Sequence, residues 1–313
     1  MIYDYQQSAF KKLLAVAKAC FAVQRQSLPI RVRTNTLIIG PSGTGKTHLA
    51  QAVATELEAE FLSVSVGEWI LLGCSGRGSS HTWPLIARFL RRNSKREGLV
   101  IFVDEIDKVG GQSTWESFLR AELYSLLDLK IFSGLAEGDE SILTADELAQ
   151  AQDVLSNRTL VLAAGAFQHI WENRNRPSLG FGAKDIGNSG TNLTHLATTL
   201  PRELINRFRS DLIVLPELRE CDYRRMLEQS AEKIPAYFRK TFLMLGYQRI
   251  PGAVACRQGC RFLEELMLDT IIEEKTQMLD NSVWKQATVC PDDSAILQPE
   301  PLALPAPCAE PDA

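Results

Sequence analysis

Two short stretches hold residues whose types and spacing suit phosphate chemistry. Gly40-Pro41-Ser42-Gly43-Thr44-Gly45-Lys46-Thr47 follows the apolar run Leu37-Ile38-Ile39, and Thr47 opens a helical pattern. Strand, G-x-x-x-x-G-K-T and helix, in that order, make a phosphate-binding loop. Its glycines let successive backbone N–H groups turn inward around a β-phosphate, and the helix N-terminus adds partial positive charge. Lys46 would reach the β- and γ-phosphates, Thr47 would hold Mg²⁺, and His48 completes the nucleotide-contacting set. The second stretch, Leu99-Val100-Ile101-Phe102-Val103-Asp104-Glu105, is a buried-strand run ending in two carboxylates. Asp104 would sit on the Mg²⁺ side and Glu105 would activate water. The chemistry is nucleotide hydrolysis, with ATP and Mg²⁺ as the expected cofactors.

These groups need a sheet to hold them. Four further runs read as strands: 61–66, 99–103, 159–164 and 211–215, beside Thr36–Ile39. Helical spacing is expected over residues 6–24, from Thr47 to about Leu57, from Pro84 to Arg92, and over 114–129. Thr144-Ala145-Asp146-Glu147 has capping-box spacing and predicts a short helix to about Leu155. Past Pro216 the pattern is all-helical, over 219–232, 234–246 and 256–280. The expected fold is α/β: a central parallel sheet carrying the phosphate loop in residues 1–216, then a small helical lid in 217–284. Residues 285–313 are Pro-, Ala- and acid-rich and read as a disordered tail.

Composition narrows the function class. The 313 residues carry a net charge of −4, which gives no general pull toward nucleic acid or anionic membrane. Nothing approaches the roughly 18 apolar residues of a membrane span. Seven scattered cysteines fit reduced thiols, and the first five residues lack a signal-peptide pattern, so a cytoplasmic setting is expected.

The motifs resemble those of the AAA+ ATPases, and within them the ClpX-type protein unfoldases, over most of residues 6–280. Gly40–Thr47 and Val103-Asp104-Glu105-Ile106-Asp107-Lys108 would fit many AAA+ proteins. Gly165-Ala166-Phe167 after the fourth strand looks like ClpX and its relative HslU. Leu179-Gly180-Phe181 resembles the loop with which ClpX docks on the ClpP peptidase. Arg202-Glu203-Leu204-Ile205-Asn206-Arg207-Phe208 looks like the segment that ends in the arginine finger. The resemblance implies that Arg207 reaches a γ-phosphate bound by a neighbouring subunit, and so a ring, a hexamer as in the family. It also implies a sensor-2 arginine facing the nucleotide from the lid. Arg257 fits that position, and Arg261, one turn on, competes for it.

The departures are also informative. The four-cysteine zinc domain with which ClpX-type chains begin is absent from this sequence. The pore-loop tyrosine of the family falls at Leu71, within Ile70-Leu71-Leu72-Gly73, with Trp69 two residues earlier. Trp69, Leu71 and Leu72 are the expected substrate grip. Tyr5 falls where the family contacts adenine. Three functions compete: an unfoldase ring acting on protein substrates and docking a ClpP-like peptidase, a non-proteolytic remodeller of one dedicated partner, and a nucleic-acid motor. The acidic balance stands against the last.

Overall fold

The computed structural model describes residues 1–22, 28–30, 32–73, 82–110, 114–132, 144–168, 196–197 and 199–287, with backbone alone at 72–73, 110, 114–118 and 277–287. Five parallel strands lie in the order β2-β3-β4-β1-β5. They are β1 (Thr36–Ile39), β2 (Glu60–Ser65), β3 (Leu99–Asp104), β4 (Thr159–Gly165) and β5 (Ile213–Val214). The fold is the expected α/β one.

The three central strands read as continuous apolar runs because both faces of the sheet are covered. Alternation then divides each run between two cores. Leu37, Ile39, Ile101, Val103, Val161 and Ala163 pack on one side. That side is covered by α3 (Val66–Gly73), α4 (Thr82–Arg92), α5 (Thr114–Leu127) and α6 (Ala145–Arg158). Ile38, Val100, Phe102, Leu160, Leu162 and Ala164 pack on the other, under α1 (Gln7–Ala22) and α2 (Lys46–Glu56). The capping box at α6 is formed. Glu147 N–H donates to Thr144 Oγ1 at 3.3 Å and Thr144 N–H donates to Glu147 Oε2 at 2.9 Å.

A third core belongs to the lid, made by α8 (Glu220–Ala231), α9 (Ala236–Ala255) and α10 (Arg261–Ala287), which follow the single-turn α7 (Arg202–Ile205). Several boundaries differ from the sequence reading, two of them within the lid helices α9 and α10. Helix α9 continues past Gly246, where the pattern had suggested an end. A Cβ there would come within 2.4 Å of Leu227 Cδ1, so this glycine permits close helix packing and does not stop the helix. Helix α10 runs to Ala287, two residues beyond the expected start of the tail at 285. Residues 288–313 lie outside the described residues.

The lid meets the sheet domain backbone to backbone. Cys260 N–H donates to Gly43 O at 2.7 Å, and a Cβ on Gly259 would fall 2.2 Å from that same oxygen. Gly259 has φ +66°, Gly43 has φ +79°, and Tyr223 Oη accepts from Gly259 N–H at 2.7 Å. Gly259→Ala therefore combines left-handed strain with a clash against backbone. It should lower stability by about 2 kcal/mol or more and weaken nucleotide affinity. Thermal unfolding with and without ATP checks this, and an unchanged melting profile would remove the contact as a constraint.

Candidate functional site

The cleft lies at the carboxyl ends of β1, β3 and β4, where the chain order reverses in the sheet and α/β proteins bind ligands. It measures about 390 Å³ and is lined by Ser42, Gly43, Gly45, Lys46, Thr47 and His48 on one side. Asp104, Glu105, Asp107 and Lys108 close the sheet side, Ala166 the end of β4, and Cys260, Arg261 and Glu264 the lid side.

The loop is shaped by its own sequence. Gly43 and Gly45 hold left-handed backbone at φ +79° and +77°, which costs an L side chain but not glycine. Gly40, Pro41 and Thr44 form the underside: Thr44 Oγ1 donates to Pro41 O at 2.8 Å, and a Cβ on Gly40 would meet Leu215 O at 2.8 Å. Lys46 Nζ donates to Gly40 O at 2.8 Å and Pro41 O at 3.0 Å. Burial lowers the Lys46 ammonium from its ordinary value, Asp104 and Asp107 counter this, and Arg261 adds to it. His48 Nε2 sits 2.6 Å from Met1 O, placing the N-terminal residue at the cleft rim.

Thr47 Oγ1 donates to Asp104 Oδ2 at 2.9 Å. Two hard oxygen donors side by side at the loop mouth fit a divalent cation of the Mg²⁺ type. When bound, Mg²⁺ neutralises charge on the phosphate oxygens. Glu105 has φ +59°, a conformation that costs a non-glycine residue of order 1–3 kcal/mol and clusters at functional sites. Its N–H donates to Asp104 Oδ1 at 2.8 Å, so the two carboxylates are locked to one another through the backbone. Lys108 Nζ lies 2.8 Å from Glu105 Oε2, and Ser65 Oγ donates to the same oxygen at 3.0 Å. The Lys108 ammonium, helped by Ser65, holds the Glu105 carboxyl below the usual carboxylate range. It stays ionised and able to accept a proton from water.

Several residues assigned from sequence are placed differently. Trp69 is only 3% exposed and its Nε1 donates to Glu122 Oε2 at 2.6 Å. It is a core residue and not part of a substrate grip, because α3 turns its indole onto α5. Leu71, 72% exposed, does project from α3, while the side chain of Leu72 lies outside the described residues. Arg257 pairs with Glu217 at 3.0 Å and does not line the cleft. Arg261, on the first turn of α10, does. Tyr5 stacks on Tyr3, with ring centroids 6.1 Å apart, and donates its hydroxyl to Thr44 O at 3.1 Å. It buttresses the phosphate loop from beneath, where an adenine-stacking role had been expected. Leu179, Gly180 and Phe181 lie outside the described residues.

Arg207 is not in the cleft. Its Nη1 donates to Glu203 O at 2.7 Å, its Nη2 lies 3.3 Å from Asp128 Oδ2, and its Cζ sits 4.1 Å from the Tyr124 ring centroid. Asn35 Nδ2 donates to Arg207 O at 3.1 Å, which fixes this residue beside the amino end of β1. The phosphate loop leaves the carboxyl end, roughly 16 Å away at the rise of a strand.

Three contributors escaped the sequence reading. Ser65 ends β2 in register with Asp104, and its signal was a polar residue closing an alternating strand. Lys108 stands three residues after Glu105 within a motif that had already been quoted. Gln6 is fully buried and donates from Nε2 to Thr44 O at 3.1 Å. A glutamine at a helix start gives no such signal.

The fold and this cleft define a P-loop nucleoside triphosphatase with a helical lid. Residues 36–168 match the model of the ATPase family associated with various cellular activities (AAA), and the chain carries an AAA ATPase domain of the α/β AAA+ type. Among curated proteins it is similar to the ATP-dependent zinc metalloprotease FtsH of Rubrobacter xylanophilus, 41% identical over 87 residues, or 28% of this chain and 13% of that protein. FtsH of Staphylococcus haemolyticus is 42% identical over 83 residues, covering 26% of this chain and 11% of the relative. FtsH of Streptobacillus moniliformis is 46% identical over 81 residues, with the same shares of 26% and 11%. The matched stretches thus span only about an eighth of these relatives' length. They do not support the narrower ClpX-type assignment.

Two substitutions test the site. Glu105→Gln should leave nucleotide affinity within about threefold and slow hydrolysis by roughly 10²–10⁴. Titration with a fluorescent nucleotide and phosphate release measure the two, and rapid turnover would exclude Glu105 as the base. Arg261→Ala should lower kcat by roughly tenfold or more. Arg257→Ala, which breaks an exposed ion pair, should change it by less than about twofold. Reversal of that order would return the lid role to Arg257.

Proposed function

We propose that this ATPase remodels protein substrates, working as a ring of copies in which Arg207 of one serves the cleft of the next. The observation that carries this reading is the position of Arg207. A planar, permanently charged guanidinium suits the charge of phosphoryl transfer, but this one sits a full strand length from its own cleft. Only another copy's cleft can receive it. The protein-directed part is supported by the similarity to FtsH, described as an ATP-dependent protease, and by Leu71, which stands exposed at the end of α3. The net charge of −4 weighs against a nucleic-acid motor. The finer reading, an unfoldase that passes chains to a ClpP-like peptidase through Leu179-Gly180-Phe181, rests on those motif residues alone.

Mixing two inactive variants tests the trans geometry. Arg207→Ala should bind ATP normally and hydrolyse it roughly 10³-fold more slowly or worse, and Lys46→Ala should fail to bind. In an equimolar mixture some junctions pair an intact cleft with an intact Arg207, so ATPase activity should return in part. A mixture as inactive as its components, or an Arg207→Ala protein at full rate, would overturn the reading.

A further inference from the structure

Four carboxylates line the cleft, and the chemistry described above employs two of them. Both oxygens of Asp104 are engaged, Oδ2 by Thr47 Oγ1 and Oδ1 by the Glu105 N–H. Glu105 meets Lys108 and Ser65 through Oε2 alone, so its Oε1 is open. Glu264 stands across the cleft on the lid. Asp107 remains, on the sheet side with Glu105 and without a role.

Asp107 is carried by the 3-10 turn Ile106–Gly110, which directly follows Glu105. Its Oδ2 accepts from Phe167 N–H at 3.1 Å, just past the end of β4. Phe167 has φ +47° and is 1% exposed, so a buried turn in left-handed backbone fixes the plane of the carboxylate. Asp107 Oδ1 lies over Gly165, where a Cβ would come within 3.0 Å of it and 2.5 Å of Phe167 Cε2. The strand itself ends in Ala163-Ala164-Gly165-Ala166, which brings no polar side chain to the cleft. The tip of β4 therefore takes its polar group from the turn after β3. Among the described residues no hydrogen bond reaches Oδ1. The charge of Asp107 is felt at Lys46, whose ammonium it supports against burial, so the carboxylate stands near the phosphate site.

A water about to attack has two hydrogens, and a single acceptor leaves it free to rotate. Two acceptors fix its lone pair in one direction. We propose that Asp107 Oδ1 is the second acceptor, holding the hydrogen of the attacking water that Glu105 does not take. The inference rests on Glu105 as the base. As the water oxygen bonds to the γ-phosphorus of ATP, the bond from that phosphorus to the oxygen of the leaving diphosphate breaks. Glu105 takes one proton, and the other stays on the product phosphate. Asp107 removes no proton; it aims the water.

Asp107→Asn, made in the full chain, keeps the shape and removes one acceptor. Its single amide oxygen can face Phe167 N–H or the water, and in either case an NH₂ donor takes the other place. Single-turnover hydrolysis should slow by roughly 10²-fold, with ATP affinity held within about threefold. The melting temperature should hold as well. The decisive readout is the double variant. Two groups that hold one water act as a unit, so Glu105→Gln with Asp107→Asn should be at most about threefold slower than Glu105→Gln alone. A merely structural Asp107 would multiply its factor onto that of Glu105. Multiplied factors, an Asp107→Asn protein at the parental rate, or one whose affinity falls as far as its rate each overturn the inference. A rapid Glu105→Gln protein removes the base assignment and this inference with it. A slow Glu105→Gln protein beside a fast Asp107→Asn protein removes the role of Asp107 alone.

Discussion

The contact between Gly43 and the Gly259-Cys260 turn is the constraint on which the rest of the site depends. Backbone packed on backbone at 2.7 Å leaves no room for a side chain on either glycine. The lid turn therefore takes its position from the phosphate loop. Arg261 and Glu264 follow within one helical turn and reach the cleft for that reason. Tyr5, Gln6 and Tyr223 secure the same junction from the other side. Burial pushes both the Tyr5 hydroxyl and the Cys260 thiol up from their ordinary values, and both stay neutral where they meet. A neutral clamp suits a loop whose outward groups must be free to bind phosphate.

Charge in the cleft is balanced rather than uniformly positive. Asp104, Glu105, Asp107 and Glu264 face Lys46, Lys108 and Arg261. Much of this positive charge is already engaged: Lys108 with Glu105, and Lys46 with loop carbonyls. A triphosphate would bring several further negative charges, and Mg²⁺ held by Thr47 and Asp104 would offset only part of them. A guanidinium suits the charge that spreads over the transferring phosphoryl group, and the proposed trans role of Arg207 would add one to that of Arg261. Arg207 is held by Asp128 and Tyr124, where it contributes nothing to its own cleft.

How much of this was legible in the sequence depends on whether the signal was local. The phosphate loop, the Asp104-Glu105 pair and the α6 capping box are written in consecutive residues, and all stand where the spacing put them. The central strands were legible because burial on both faces forces unbroken apolar runs. What failed was tertiary. Trp69 was assigned from its neighbours in a motif, but the helical turn of α3 sends it into the core. Arg257 and Arg261 are a single turn apart, and only the Gly259 contact decides which one faces the nucleotide. Gly246 looked like a helix end because its partner, Leu227, is 19 residues away in sequence.

One geometric fact links the catalytic and assembly arguments. The strand β1 separates two functional ends: its carboxyl end opens into the phosphate loop, and its amino end, through Asn35, holds Arg207. A short rigid strand cannot bend to bring the two together, and its neighbours β4 and β5 hold it on both sides. Under the proposed trans role of Arg207, each copy would hold half of one site at one end and half of another at the opposite end. Head-to-tail association would join the two halves, and such association either closes into a ring or runs on as a filament. The angle between the two ends, fixed by the sheet and by the seat of the lid on Gly43, decides between them. If nucleotide in the cleft shifts that seat, it changes the angle at every junction, which is a direct route from one hydrolysis event to movement of the whole assembly.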